Sequence, residues 1–330
     1  MRKFTTILAV LCVALGFACC STSDSEESVA KQYIDATFTV ELSDLGTRSA
    51  GKATMIDKVE YGIYDVADGG RLLAPISSKE LGAIDFDESK AVIDVRLAAG
   101  KKYDLVFFAY SSKSNAYSVD WENRLLNVSY KNTATGKNDL ANLESRDAFF
   151  HVEQDFLAST GKTFVLNRPF AQLNAGQSYS DFANMLGNKI IKSSLTTQAY
   201  TQMSLGRDTY GNVLGSKSDV VFELNDVVDV DDTEGNDDLV VKVADAEGNA
   251  VDTPYKHLSM NYLLVNSKEL VNVEITMLGD EGTLFTRNYP NIPLERNYRT
   301  NIIGNLISSP FEFEIVVNPI FTNDHNQAQK

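Results

Sequence analysis

Alternation of apolar and polar residues with a period of two recurs in this chain from residue 36 to residue 321, and no other feature limits the fold as strongly. In the first run Ala36, Phe38, Val40 and Leu42 share one face, while Thr37, Thr39, Glu41 and Ser43 share the other. That is the signature of a half-buried strand. Comparable runs follow at 56–65, 90–98, 125–130, 147–156, 194–205, 220–224, 239–243, 255–265, 270–278, 297–307 and 311–321. The run 103–110 is apolar almost throughout, as expected of a strand covered on both faces. Residues 162–174 read as a strand interrupted by Pro169, which predicts an edge strand or a bulge, because proline cannot donate to a ladder. Turn signals such as Asp68-Gly69-Gly70 and Ser308-Ser309-Pro310 separate the runs. Only residues 179–192 read as helix, from the spacing of Phe182, Met185 and Leu186. The pattern predicts an all-β fold of the sandwich type. With 330 residues and 43% hydrophobic content, two cores can be filled. The reading is two sandwiches side by side, 36–161 and 162–321, split near Gly161 and followed by a polar tail at 322–330.

The chain opens on Met1-Arg2-Lys3 and an apolar run over residues 4–17, the layout of an export signal at 1–18. All three cysteines, Cys12, Cys19 and Cys20, lie in the first twenty residues, so the rest of the chain can hold neither a disulfide nor a cysteine-based zinc site. The segment Leu15-Gly16-Phe17-Ala18-Cys19 resembles a bacterial lipobox, in which the thiol is acylated and becomes the new N-terminus. Cys19 is the expected lipidation site because Ala18 puts a small residue at the cut; the Cys20 alternative would put a cysteine there. A plain secretory signal is the other reading. Acyl chains contribute about 0.8 kcal/mol per buried methylene, so a multiply acylated N-terminus would hold the protein on the outer membrane. The polar, acidic residues 19–35 then form a tether.

The net charge of −15 repels phosphate backbones, so no nucleic-acid partner is expected. His151, His257 and His325 are scattered and build no ligand set. The acid-rich stretch 226–238 invites a calcium reading, but with Asp229 as first ligand the sixth position is Glu234 rather than glycine, so it reads as a solvated loop. No Gly-x-Ser-x-Gly elbow, Walker loop or dinucleotide fingerprint occurs. The expectation is a protein that is not an enzyme and carries no cofactor or metal.

Several ordered segments resemble fimbrillin-type pilin lipoproteins, the subunits of type V pili. They are the lipobox; Phe38-Thr39-Val40 leading to Thr47-Arg48; Lys58-Val59-Glu60-Tyr61-Gly62-Ile63-Tyr64-Asp65; Gly100-Lys101-Lys102-Tyr103-Asp104-Leu105-Val106-Phe107; and Arg146-Asp147-Ala148-Phe149-Phe150. The second half adds Arg168-Pro169-Phe170-Ala171-Gln172-Leu173-Asn174, Met260-Asn261-Tyr262-Leu263-Leu264-Val265 and Pro293-Leu294-Glu295-Arg296-Asn297-Tyr298-Arg299-Thr300-Asn301. The resemblance implies two transthyretin-like sandwiches, a lipid anchor, and cleavage by an arginine-specific protease after the first strand, here between Arg48 and Ser49. A strand from another subunit would then fill the groove vacated by Phe38, Val40 and Leu42. The obvious donor is the last run, with Phe311, Phe313, Ile315 and Val317 on one face. The implied partners are other pilin subunits, the outer membrane and a ligand on a host or bacterial surface, at the cell surface or in a fimbrium. If the last strand is needed at home, the chain would accept a strand and give none. The alternative is a surface lipoprotein that never polymerises and binds glycan or host protein.

Overall fold

The computed structural model describes residues 33–43, 55–73, 84–85, 90–131, 139–225, 227, 238–309 and 311–319. Cys19, Arg48, Ser49 and almost all of the acidic stretch 226–238 lie outside them.

The first strand, β1 (Tyr33–Leu42), starts three residues earlier than its alternation suggests, inside the expected tether. Then come β2 (Lys58–Asp65), β3 (Arg71–Leu72), β4 (Ile84–Asp85), β5 (Lys90–Ala98), β6 (Lys102–Tyr110), β7 (Tyr117–Asp120), β8 (Leu125–Val128), β9 (Asp139–Leu140), β10 (Ala148–Leu157) and β11 (Lys162–Leu166). Two sheets enclose the first core: β11-β1-β5 on one side and β10-β6-β2-β3, with β4 beside β2, on the other. Phe38 and Val40 of β1, Ile93 of β5, Leu105 and Phe107 of β6, and Phe164 of β11 fill it. A hydrogen-bonded bridge between Phe150 and Asn167 joins the two sheets at one corner.

The second half contains β12 (Phe170–Ser178), a short helix α1 (Phe182–Gly187), β13 (Lys192–Ala199), β14 (Gln202–Ser204), β15 (Val213–Leu214), β16 (Ser218–Asn225) and β17 (Asp238–Ala244). It ends with β18 (Ala250–Leu264), β19 (Lys268–Gly279), β20 (Gly282–Glu295), β21 (Tyr298–Gly304) and β22 (Phe313–Pro319). Sheets β17-β18-β12-β21-β22 and β20-β19-β13-β16-β9 enclose the larger core, and β15-β14-β8-β7 forms a third sheet beside it.

The fold is all-β and of the sandwich type, as the alternation requires. The expected division near Gly161 needs correction. β11 runs parallel to β1 and belongs to the first sheet pair, while β9 pairs with β16 and β8 with β14. The halves are therefore interlocked, and residues Tyr33–Lys330 form one contact unit. Strand β6 explains why: Leu105 and Phe107 face the first core while Val106 and Phe108 face the second. Its unbroken apolar run is what burial on both faces requires.

Two further expectations change. Pro169 interrupts no strand; it stands between β11 and β12, and β12 is central and almost wholly buried. The helix shrinks to a 3-10 turn (Tyr179–Asp181) and α1. One glycine is dictated by packing: a Cβ on Gly62 would lie 2.9 Å from the Trp121 ring and 2.8 Å from the Tyr64 hydroxyl. That hydroxyl donates to the Trp121 carbonyl at 2.7 Å, which fixes the tryptophan over the β2 backbone.

Candidate strand-exchange groove

β1 is the middle strand of its sheet. It pairs antiparallel with β5, from Tyr33 opposite Ala98 to Glu41 opposite Lys90. It pairs parallel with β11, from Phe38 beside Lys162 to Leu42 beside Leu166. Even-numbered side chains point inward: Ala36, Phe38, Val40 and Leu42 are all buried. Phe38 meets Phe156 and Phe164 edge-on, at ring separations of 5.3 and 5.5 Å. Burying Phe38, Val40 and Leu42 contributes roughly 5–9 kcal/mol, at about 1.5–3 kcal/mol each. Removing β1 would therefore leave an apolar trough with two rows of unpaired backbone groups, a template for another strand.

The outer face of β1 reads a charge pattern on β5. Glu41 pairs with Lys90 at 3.0 Å and Asp35 with Arg96 at 3.6 Å. Between them the Thr37 hydroxyl donates to Asp94 at 2.7 Å. These exposed contacts are worth little energy each, but they penalise a shifted register, since each shift sets a charge opposite the wrong partner.

The last alternating run does form a strand, shorter than its alternation suggests. β22 begins at Phe313, and Phe311 lies ahead of it, 88% exposed. β22 is an edge strand paired only with β21 among the described residues. Phe313 and Ile315 pack on the large core, Phe313 edge-on to Tyr289 at 4.9 Å, and Val316 packs on a small separate cluster of Leu239, Val241 and Ile303. Asn301 donates to the Val316 carbonyl and the Asn318 amide oxygen, both at 3.1 Å. The groove and its proposed filler are thus both occupied at home, one by two ladders and the other by one.

The sequence segments that resemble pilins converge on a different feature, a polar seam between the halves. Arg168, just ahead of β12, and Asp147, just ahead of β10, form a fully buried pair with two hydrogen bonds, Nε to Oδ1 at 2.6 Å and Nη2 to Oδ2. The guanidinium also lies 4.1 Å over the Phe149 ring. Burial pushes the Asp147 carboxyl up while Arg168 pulls it down. Arg299 donates to Gln172 at 2.6 Å, and Gln172 donates to the Tyr262 hydroxyl at 3.2 Å. Asn174 donates to Asn301 at 2.8 Å. A second junction holds buried Asp104 between Arg124, at 3.0 Å, and Arg207 of the second half, at 2.7 Å. These contacts hold the two halves in register. Among the described residues no group of three or more His, Cys, Asp or Glu side chains is gathered as a metal site.

His257 on β18 is buried, and burial, with Arg299 and Lys256 nearby, pushes its pKa from 6.5 down to about 4. The unfolded chain therefore takes up a proton first as the pH falls. The stability that His257 contributes by staying neutral is expected to be lost as the pH falls from 6.5 to about 4, by about 3 kcal/mol in all. Urea unfolding at pH 7 and pH 4.5 checks this: His257→Gln should narrow the gap between the two midpoints, and an unchanged gap would refute the assignment.

The geometry defines a class: an interlocked all-β sandwich protein whose core is completed by its own first strand. The chain belongs to a family of unknown function, DUF6562, whose model matches residues 27–330. No curated protein matches it. Among solved structures it is similar to a DUF1812 protein of Bacteroides thetaiotaomicron, at 13% identity, 89% of this chain and 100% of that one, and a TM-score of 0.47. It is also similar to a fimbrial assembly protein of Parabacteroides distasonis, at 12% identity, 87% and 96% coverage, and a TM-score of 0.41. A third is the tip fimbrial protein Mfa3 of Porphyromonas gingivalis with a C-terminal truncation, at 11% identity, 87% and 100% coverage, and a TM-score of 0.36.

Proposed function

We propose that this chain is a structural or accessory subunit of a type V fimbria, exported as a lipoprotein acylated at Cys19, cleaved between Arg48 and Ser49, and joined to other subunits by strand exchange. Its role is assembly and adhesion at the cell surface. The observation that carries this reading is the position of β1: it is the first described strand, the middle strand of its sheet, and it supplies Ala36, Phe38, Val40 and Leu42 to the core. A single cut between residues 44 and 54 would separate β1 from β2, the next described strand. An edge strand that leaves one ladder and enters a groove offering two gains hydrogen bonds on balance, and β22 is such a strand.

Mass spectrometry of the N-terminus on cells expressing the chain tests this directly. Mature chains should begin at Ser49 and run as detergent-resistant ladders, and Arg48→Ala should abolish both. Ladders unaffected by Arg48→Ala would overturn the cleavage step. Mature monomers still lipidated at Cys19 would favour the second reading, a surface lipoprotein that binds glycan. That reading draws support from a depression of about 440 Å³ on the outer face of β13 and β19. Thr196, Gln198, Asn272 and Asn288 line it with hydroxyls and amides suited to sugar hydroxyls.

A further inference from the structure

Granted the strand-exchange reading above, we infer that the groove of β1 selects residues 311–315 of a second copy in one register, with Phe311 in the place of Phe38 and Glu314 in the place of Glu41. Charge complementarity and shape both point to it.

Register slips by an odd number are excluded, because they would turn Glu312 and Glu314 into the core. Among even registers with the donor running as β1 does, two set phenylalanine in the slot of Phe38, between Phe156 and Phe164. If Phe313 took that slot, Glu312 would stand where Thr37 stands, opposite Asp94, and acid would face acid. Phe311 would also have to replace the fully buried Ala36. If Phe311 takes the slot, both conflicts vanish. Glu314 then meets Lys90, restoring the pair lost with Glu41, and Glu312 lies opposite the exposed Val92. Phe313 replaces Val40, whose β5 partner is Ala91, the smallest inward side chain on that strand. Ile315 replaces Leu42.

The residue before Phe311 is a proline, and in this register it would stand at position 37. There the backbone N–H of β1 goes to the Thr160 hydroxyl, at 3.0 Å, rather than into a strand ladder. A residue without an N–H therefore forfeits no ladder bond at that position. Phe311, 88% exposed in its own subunit, acquires a buried aromatic site in the other.

The experiment uses the full chain, which has no cysteine beyond residue 20. Two single variants, Val92→Cys and Glu312→Cys, are mixed, treated with an arginine-specific protease, and oxidised; loss of β1 is followed by mass. A parallel mixture uses Val92→Cys with Glu314→Cys. All three positions are exposed, so the variants keep their cores. Directly opposed residues fall within disulfide reach and diagonal neighbours do not, so the Glu312→Cys mixture should give roughly tenfold more intersubunit adduct. Adduct mainly in the Glu314→Cys mixture would overturn the register while leaving strand exchange intact. No adduct in either mixture after β1 is lost, or retention of β1 under the protease, would overturn strand exchange itself and the register with it.

Discussion

Replacing Asp147 with alanine is expected to cost about 3–5 kcal/mol of folding stability, because it leaves the Arg168 guanidinium fully buried without its carboxylate. Arg168→Met should cost a similar amount by stranding Asp147, whose carboxyl burial already pushes up. The pair of changes made together should cost much less than the sum, since two apolar side chains can occupy a buried site that neither lone charge can. Urea midpoints for the single and double variants measure this. Strictly additive costs would mean that the two residues act independently and that the seam is not held by their pairing. The seam joins β10 to β12, so its loss should also loosen the junction between the halves, readable as faster hydrogen exchange in both strands.

The second large effect belongs to the groove. Phe38→Ala is expected to cost about 3–5 kcal/mol, through lost burial and the cavity left between Phe156 and Phe164. Thr39→Ala, on the outer face of the same strand, should stay within about 0.5 kcal/mol of the parent. The contrast is diagnostic of a strand that completes a core on one face. Amide exchange in β5 and β11 should accelerate in Phe38→Ala and not in Thr39→Ala, because those strands hold the two ladders of β1. Equal protection in both variants would show that β1 does not support its neighbours, and the strand-exchange reading would lose its foundation.

The inward face of β1 is legible in the sequence. Alternation placed Phe38, Val40 and Leu42 on one face, and the core contains all three. It also named Phe313 and Ile315 as inward residues of the last strand. Alternation alone extends that strand back to Phe311, because the period-two pattern continues through Glu312 although the ladder does not. Arg168 and Asp147 could not be read as a buried pair. Each is a charged residue, expected at the surface, and burial becomes tolerable only when the partner 21 positions away supplies the opposite charge. Pro169 misled for a related reason: a proline between two strands of different sheets looks, in one dimension, like a proline inside one strand.

The sequence by itself determined the all-β class, the buried face of each well-patterned strand and the double burial of β6, because alternation is a local record of which side chains meet water. Only the tertiary structure decided which strands are neighbours. It set β11 parallel to β1, made β12 a central strand, and interlocked the halves through β9, the β8–β14 pairing and the arginine–carboxylate junctions. Backbone ladders use the same N–H and C=O groups in every strand, so the identity of a strand's partner is written in packing over the whole chain and not in the strand. That β1 lies between two partners and β22 beside one is a fact of this second kind, and the proposed strand exchange rests on it.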